Sequence, residues 1–115
     1  MTEKIYIAGT NAVDNQRLKR FLSKMMSDGH WILCTNETGF DQKVLMYTSS
    51  YANVLTVVPD RHDVNTLCAG KNIPSDHTLE DEQRLLIQLA TKCVFFSRSD
   101  LEKIANGQNK SFVRR

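Results

Sequence analysis

The sequence predicts an α/β domain, a small three-layer sandwich in which helices cover both faces of a mainly parallel sheet. Short apolar segments alternate with helix-patterned segments from one end of the chain to the other. The apolar segments are nearly continuous, which is typical of strands buried on both faces. Because crossovers between parallel strands are right-handed, few strand orders remain, and we expect the order 3-2-1-4 for the four predicted strands.

The first half of the chain contains two predicted strands and two predicted helices. The first strand is KIYIAGT, residues 4–10, which is β-branched and aromatic and closes on a glycine. Asp14 is the expected N-cap of the following helix and Gly29 its expected stop. HWILCT, residues 30–35, is the second strand, and a second helix is expected over 38–52. The apolar stripe of the first helix consists of Leu18, Phe21, Leu22, Met25 and Met26.

The second half of the chain continues the alternation. We expect, in order, a strand over 53–59, a long polar loop over 60–76, a helix over 78–91, a strand over 93–97 and a short helix over 99–107. Ser99 is the expected cap of the last helix and Gly107 its stop. The basic tail KSFVRR could contact phosphate, but we interpret it as a solvated terminus. The buried sheet should contain Cys34, Val57, Cys93 and Phe95.

Length and composition indicate one domain over residues 1–115, with 41% apolar and 24% charged residues. The net charge of +2 provides no general attraction to nucleic acid, so we do not expect a nucleic-acid partner. The apolar runs are too short to span a bilayer, no signal peptide is visible, and no membrane partner is expected. Three cysteines, an odd number, favour reduced thiols in the cytoplasm.

Candidate ligand-binding residues follow the predicted strands, since ligands of such sheets bind at the carboxyl ends of the strands. The turn over 35–41 leads into a helix N-terminus, where backbone N–H groups and the helix dipole favour an anion. Gly39 permits close backbone approach. Asp41 could either cap the helix or accept hydrogen bonds from sugar hydroxyls, and we place the centre of the site at this turn. The full set of candidate ligand-binding residues is Gly9, Thr10, Asn11, Thr35, Asn36, Glu37, Thr38, Gly39, Asp41, Ser97 and Arg98.

Other patterns in the sequence exclude several kinds of site. His62, Cys68 and His77 are too irregularly spaced for a recognised metal-ligand pattern, so we expect no metal and no cofactor. Neither a Walker A pattern nor GxGxxG follows the first strand, which disfavours the common nucleoside triphosphate and dinucleotide sites. Arg98 could bind a phosphate bidentately, or it could pair with Asp100 or Glu102, and both alternatives stay open.

The segment CTNETGFDQKVLMYTSSYANVLTVVP, residues 34–59, resembles part of the SLOG superfamily of Rossmann-like domains, which includes the DNA-processing protein A domain and the nucleotide phosphoribohydrolases. The family pattern is roughly small-Gly-Gly-x-x-Gly-x-Asp, then a helix and a strand that ends in proline. KIYIAGT also resembles the opening strand of the nucleoside 2-deoxyribosyltransferases, and DEQRLLIQLATKCVFFS is similar to the charged helix that precedes the fourth family strand. The matching residues are Thr35, Gly39, Phe40, Asp41 and Pro59.

The sequence departs from these families at two places. Asn36 and Glu37 stand where the family pattern has paired glycines. The phosphoribohydrolases have a GGxGTxxE loop after the fourth strand, whereas this chain has SRSDLEKIANG there. Glu102 is the nearest carboxylate that could replace the nucleophilic glutamate of the deoxyribosyltransferases, and its helical context favours a solvated surface residue instead.

Three functions are compatible with these residues. The preferred one is binding of a nucleotide or nucleotide-derived small molecule by a sensor or sequestering module. The alternative is an enzyme that cleaves or transfers an N-glycosidic bond, with Glu37 or Glu102 as the catalytic residue. The third is a protein-interaction domain that has lost its ligand. The missing glutamate loop favours the first over the second. Because a small sheet leaves an edge or a helix face uncovered, we also expect a homo-oligomer, through a surface that the sequence does not specify.

Overall fold

The computed structural model describes residues 2–59 and 70–115. The elements in chain order are β1 (Lys4–Gly9), α1 (Asn15–Ser27), β2 (Trp31–Thr35), α2 (Gly39–Tyr47), β3 (Val54–Pro59), β4 (Lys71–Ser75), α3 (Leu79–Leu89), β5 (Lys92–Phe96), α4 (Ser99–Gly107) and β6 (Phe112–Arg114). The strands in the described part of the chain form one six-stranded sheet in the order β4-β3-β2-β1-β5-β6.

The predicted α/β architecture is confirmed. Every strand pairing in the sheet is parallel. The four predicted strands are β1, β2, β3 and β5, and their observed order β3-β2-β1-β5 is the expected 3-2-1-4. Cys34, Val57, Cys93 and Phe95 are all buried in the sheet, as predicted.

Two strands were missed by the sequence interpretation. The polar segment expected over 60–76 contains β4, which pairs with β3. Its sequence KNIPS has a proline, which strands tolerate at sheet edges, and β4 is an edge strand. The interpretation of the tail as a solvated terminus was wrong, because β6 pairs with β5 at the opposite edge. The remainder of the expected loop, including His62 and Cys68, lies outside the described residues.

Several helix ends lie where the sequence predicted them, and two lie elsewhere. Asp14 caps α1 by accepting hydrogen bonds from two backbone N–H groups, and Gly29 follows the helix with φ of 76°. The second helix ends at Tyr47, not at 52, because the chain turns where the Tyr51 N–H donates to the Thr48 carbonyl at 2.9 Å. Ser99 is the first residue of α4 and not its cap, since the N-cap position is Arg98 and no side chain caps this helix.

The sheet separates two apolar layers. The connections from β1 to β3 proceed in one direction across the sheet, so α1 and α2 pack on one face, around Phe21, Leu22 and Val44. The return from β4 to β5 places α3, and then α4, on the other face, around Leu86 and Phe95. The direction of winding therefore reverses between the neighbouring strands β1 and β5. Within the described residues, no helix is both long and apolar enough to cross a bilayer.

Candidate functional site

The three loops that the sequence singled out lie side by side at the carboxyl edge of the sheet. Gly9 ends β1, Thr35 ends β2, and Ser97 follows β5. Because β1 lies between β2 and β5 in a parallel sheet, the residues that follow these strands emerge at neighbouring positions. The fold thus brings the predicted site residues to a single edge.

The buried carboxylate of Asp41 stabilises the turn between β2 and α2 by accepting hydrogen bonds. One of its carboxylate oxygens, Oδ2, accepts hydrogen bonds from the Thr35 hydroxyl at 2.6 Å and from the backbone N–H groups of Glu37 and Thr38, each at 3.1 Å. The Thr38 hydroxyl accepts a hydrogen bond from the Asp41 N–H in return, which completes a capping box. Burial of Asp41 raises the pKa of its carboxyl, and these hydrogen bonds oppose that rise. In this arrangement Asp41 acts as a cap.

The first turn of α2 keeps two backbone donors available. Among the described residues, the N–H groups of Gly39 and Phe40 meet no hydrogen-bond acceptor. The side chain of Asn11 lies against Gly39, where an added Cβ would collide with the Asn11 amide. The backbone carbonyl of Asn11 also accepts a hydrogen bond from Lys43 Nζ at 3.0 Å, which links the loop after β1 to α2. On the other side of the turn, Gln42 Nε2 donates to Asn36 Oδ1 at 2.6 Å.

A polar cavity of about 170 Å³ lies where the winding of the sheet reverses. Thr10 after β1 and Ser97 after β5 contribute to its wall, and the N-terminus of α1 closes one side. In doubly wound sheets the crevice at this reversal is the usual ligand position. We call it the switch-point pocket; its lining residues are Thr10, Ala12, Val13, Asp14, Arg17, Phe96, Ser97 and Arg115.

Two arginines give the switch-point pocket its charge. Neither Arg17 nor Arg115 forms an ion pair with a carboxylate of the described residues. The guanidinium of Arg115 lies 4.9 Å from the centroid of the Phe21 ring, and its backbone N–H donates to the Phe95 carbonyl at 2.8 Å. Asp14 also lines the pocket, but its carboxylate caps α1. The arrangement therefore favours an anion.

The sequence interpretation did not consider Arg17, and for the tail that contains Arg115 it preferred a solvated terminus to a phosphate contact. The apolar pattern of the first helix predicts that Arg17 lies on the solvent-facing side. Arg115 belongs to the tail, for which we preferred a solvated terminus. A short basic tail shows no local signal of the strand pairing that brings Arg115 to the end of β5. Only the tertiary fold places it beside the loop after β1.

The loop after β5 contains a backbone conformation that is unusual for its residue type. Ser97 has φ of 61°, in the left-handed region. Such residues occur often at functional sites, where the surrounding structure stabilises them. The next residue, Arg98, forms one of the two contacts that the sequence left open, because its guanidinium donates two hydrogen bonds to Asp100, at 3.0 and 2.9 Å. Its remaining nitrogen donates to the Gly9 carbonyl at 3.4 Å.

Neither candidate catalytic carboxylate lines the switch-point pocket. Glu102 is not the solvated surface residue that its helical context suggested, because it is only 7% exposed. Both of its carboxylate oxygens accept hydrogen bonds from Arg114, at 2.9 and 2.6 Å, and this pairing lowers the pKa of Glu102. Glu37 is half-buried, and its backbone N–H donates to Asp41.

Comparison with solved structures supports the architecture described above. The chain superposes on the crystal structure of TM1055, a Northeast Structural Genomics Consortium target, with a TM-score of 0.75 and 14% sequence identity. The fold is Rossmann-like. The match covers 97% of this chain and 72% of that chain, and at this identity it concerns the fold alone. No family model matches the chain, and no curated protein sequence matches it.

This Rossmann-like domain shows no metal-ligand cluster in the part of the chain that the structure describes. No group of three or more histidine, cysteine, aspartate or glutamate side chains converges in residues 2–59 and 70–115. Of the residues that the sequence considered for a metal, His77 is exposed, whereas His62 and Cys68 lie outside the described residues.

Beneath the carboxyl edge, Tyr6 of β1 is fully buried and its hydroxyl has no hydrogen-bond partner among the described residues. Burial raises the pKa of Tyr6 well above its ordinary value, and the negative charge of Asp41 adds to this rise, whereas Arg98 opposes it. The hydroxyl therefore lies within the electrostatic influence of two residues of the candidate site. A buried hydroxyl without a partner costs folding free energy.

Replacing Tyr6 with phenylalanine should raise the free energy of unfolding by about 1 kcal/mol, because it removes an unpartnered polar group and keeps the ring. Urea denaturation followed by circular dichroism measures the effect. Tyr51→Phe is the matched control. The Tyr51 hydroxyl donates to the His30 carbonyl at 2.7 Å, so its removal should lower the free energy of unfolding by about 1 kcal/mol. If both substitutions destabilise the protein equally, the Tyr6 hydroxyl has a partner after all.

Proposed function

We propose that this domain binds a nucleotide or nucleotide-derived small molecule at the carboxyl edge of its sheet, as a sensor or sequestering module. The observation that supports this proposal most strongly is the pair of arginines, Arg17 and Arg115, that line the switch-point pocket without a carboxylate partner among the described residues. Guanidinium groups suit phosphate because they bind it bidentately.

The size of the pocket indicates which part of the ligand it would hold. A volume of about 170 Å³ is below the usual range for a whole small-molecule ligand, so the switch-point pocket would hold a phosphate and its immediate neighbour. The rest of the ligand would cross the loop that begins at Thr10 and reach the available N–H groups of Gly39 and Phe40. A second anionic or hydroxyl group could accept hydrogen bonds there.

The resemblance to the SLOG superfamily supports a nucleotide over other anions, and membership in that superfamily is part of this proposal. The family-like residues Thr35 and Asp41 shape the turn next to the proposed site. Asn36 and Glu37 replace the paired glycines of the family pattern. In this chain Arg17 and Arg115 would therefore supply the main attraction for phosphate.

The environment of Glu102, one of the two candidate carboxylates, supports binding without catalysis. Both oxygens of Glu102 are engaged by Arg114, which disfavours a nucleophilic role for Glu102. We also infer that the protein works in the cytoplasm, because an odd number of cysteines, two of them (Cys34 and Cys93) buried in the sheet, suits a reducing compartment. Among the described residues β4 is an edge strand, and such an edge favours a homo-oligomer, which sedimentation velocity measures directly.

A thermal-shift screen tests the proposed function. The panel consists of AMP, ADP-ribose, NAD and a cyclic dinucleotide, each beside its nucleoside or phosphate-free counterpart, with inorganic phosphate as a further probe. We expect a phosphorylated member to stabilise the protein, by about 2.7 kcal/mol at 100 times its dissociation constant. The nucleoside counterparts should give a much smaller shift, because they lack the group that Arg17 and Arg115 bind.

Calorimetry on the stabilising nucleotide then tests the two arginines. Arg17→Gln and Arg115→Gln should each weaken binding about tenfold, which corresponds to about 1.4 kcal/mol. Lys103→Gln on the exposed side of α4 is the matched control, and it should leave affinity unchanged. Equal affinity of all three variants would contradict the proposed site. A complete lack of stabilisation by the panel would favour the interaction-domain alternative. Release of free base that disappears in Glu37→Gln or Glu102→Gln would show an enzyme.

A further inference from the structure

A second cavity lies at the opposite, amino edge of the sheet, on the face that α3 and α4 cover. This face spans six strands, and α3 packs mainly against β2 and β1. Beside α3, at the beginning of β1, β2, β3 and β4, is a cavity of about 300 Å³. We call it the amino-edge cavity; its lining residues are Lys4, Trp31, Leu33, Leu55, Lys71 and Leu89.

The strand register explains why these side chains share one face. Lys4 pairs with Trp31, and Leu33 pairs with Leu55, which in turn pairs with Lys71. Paired residues of neighbouring parallel strands point to the same side, and Leu33 points to the same side as Trp31 because the side-chain period of a strand is two residues. Trp31, Leu33 and Leu55 therefore form an apolar floor. The lysines stand on β1 and β4, which are three strand spacings or about 14 Å apart across the sheet.

The apolar surface continues beyond the cavity. Leu89, the last residue of α3, is 44% exposed, and Leu85, one helical turn earlier on the same side, is 43% exposed. Ile73 on β4 is 41% exposed and lies on the same face as Lys71. Together with Met46, these are the large apolar side chains that are exposed in the described part of the chain. Leu85, Leu89 and Ile73 lie around the amino-edge cavity and mark an interaction surface, whereas Met46 belongs to α2 on the opposite face of the sheet.

The charge at the rim of the cavity indicates the chemistry of its occupant. Neither Lys4 nor Lys71 forms an ion pair with a described carboxylate, and the lining contains no acidic side chain. An apolar floor with cations at two ends matches a ligand that combines an apolar body with an anionic group. A two-fold contact between copies would instead bring the lysines of one copy close to those of the other, which is unfavourable.

We propose that the amino-edge cavity binds a small amphiphilic carboxylate. The apolar body would lie on Trp31, Leu33 and Leu55 against Leu89, and the carboxylate would pair with Lys71 or Lys4. The volume of about 300 Å³ is at the lower end of the range for small-molecule sites, so the body is a medium-length chain or a single ring system. This site is separate from the switch-point pocket and does not depend on the proposed nucleotide.

Trp31 is the only tryptophan of the chain, so its fluorescence reports on this cavity directly. Decanoate below its micelle concentration is the first probe, and we expect a saturable change in intensity or emission wavelength. Decyltrimethylammonium has the same chain length and the opposite charge, and we expect no saturable change with it. Butyrate tests the contribution of the alkyl chain to binding, because it keeps the carboxylate and has a shorter chain. It should bind at least tenfold more weakly than decanoate.

Two exposed lining residues allow a test that keeps the fold intact. Leu89→Gln and Lys71→Glu should each weaken decanoate binding at least tenfold. The matched control, Lys103→Glu on α4, should leave it unchanged, as should Arg115→Gln in the switch-point pocket. Circular dichroism verifies that each variant is folded.

Three results would overturn this proposal. If decyltrimethylammonium binds as tightly as decanoate, the lysines do not discriminate between an anionic and a cationic ligand. Equal decanoate affinity in all variants would place the probe elsewhere. A wild-type dimer that dissociates in Leu89→Gln, with Trp31 fluorescence insensitive to decanoate, would identify the surface as an interface between copies of this chain.

Discussion

Replacing Asp41 with alanine should lower the free energy of unfolding by about 3 kcal/mol. The substitution removes the acceptor of three hydrogen bonds at once, from the Thr35 hydroxyl and from the N–H groups of Glu37 and Thr38. Asp41 is 2% exposed, so water would replace the lost acceptor poorly, and donors left unpaired in a buried place are costly. Urea denaturation at neutral pH measures the loss.

Two further substitutions separate the capping bond from the buried network. Thr78 caps α3 in an exposed position by accepting the Asp81 N–H, so Thr78→Ala should cost only about 1 kcal/mol. Asp41→Asn keeps a side-chain oxygen for the same donors, and it should retain most of the stability of the wild type. A loss in Asp41→Ala no greater than that in Thr78→Ala would contradict the role assigned to Asp41.

Asp41 is also expected to make the stability of the protein depend on pH. Burial raises the pKa of Asp41 from 3.8, so the folded state binds a proton more tightly than the unfolded state does. The contribution of this group to stability therefore falls as the pH rises from 3.8 through the raised pKa of the folded state. Asp41→Asn cannot ionise, so its stability relative to the wild type should improve across that range.

The second large effect is expected at Gly9, the last residue of β1. A Cβ on Gly9 would lie 2.6 Å from a ring carbon of Phe40 and 2.8 Å from Cβ of Phe96. Both neighbours are buried in the core between the sheet and α2, and the Cβ of Phe96 can move only with its backbone. Gly9→Ala should therefore lower the free energy of unfolding by about 2 kcal/mol through overpacking.

Gly107 is the matched control for this substitution. It lies in the last turn of α4, where a Cβ would meet nothing within 4 Å. Gly107→Ala should raise the free energy of unfolding by about 0.5–1 kcal/mol, because alanine has the higher helix propensity. The two substitutions add the same methyl group, so a similar effect at both positions would show that the space around Gly9 is not limiting.

The sequence predicted those parts of the fold that have strong local signals. The continuous apolar runs around Ile5, Ile32, Val57 and Phe95 identified four strands and their order, because parallel strands buried on both faces need such runs. The turn at Asp41 was also recognised, since a polar segment followed by a helix has few local structures. The sequence did not decide whether Asp41 caps or binds, because that depends on where the Thr35 hydroxyl points.

The missed elements share a physical cause. The segments of β4 and β6 are short and contain polar or charged residues, and they become strands only because a neighbouring strand offers its free edge. Glu102 is covered because β6 places Arg114 next to it. Arg17 and Arg115 are far apart in the sequence, so only the parallel pairing of the last strand brings them into one pocket. Local patterns contain no information of this kind.

The pairing of β6 with β5 also has a consequence for folding. Arg115 reaches the switch-point pocket only when β6 is docked on β5, whereas Thr10 and Arg17 come from the first part of the chain. The pocket therefore depends on a contact of high sequence separation, and the entropy of closing a long loop opposes such a contact. If β6 leaves the edge of the sheet, β1, β2 and β3 keep their pairing with one another, but the pocket loses one of its two arginines. Anion binding would then depend on the docking of this one short strand.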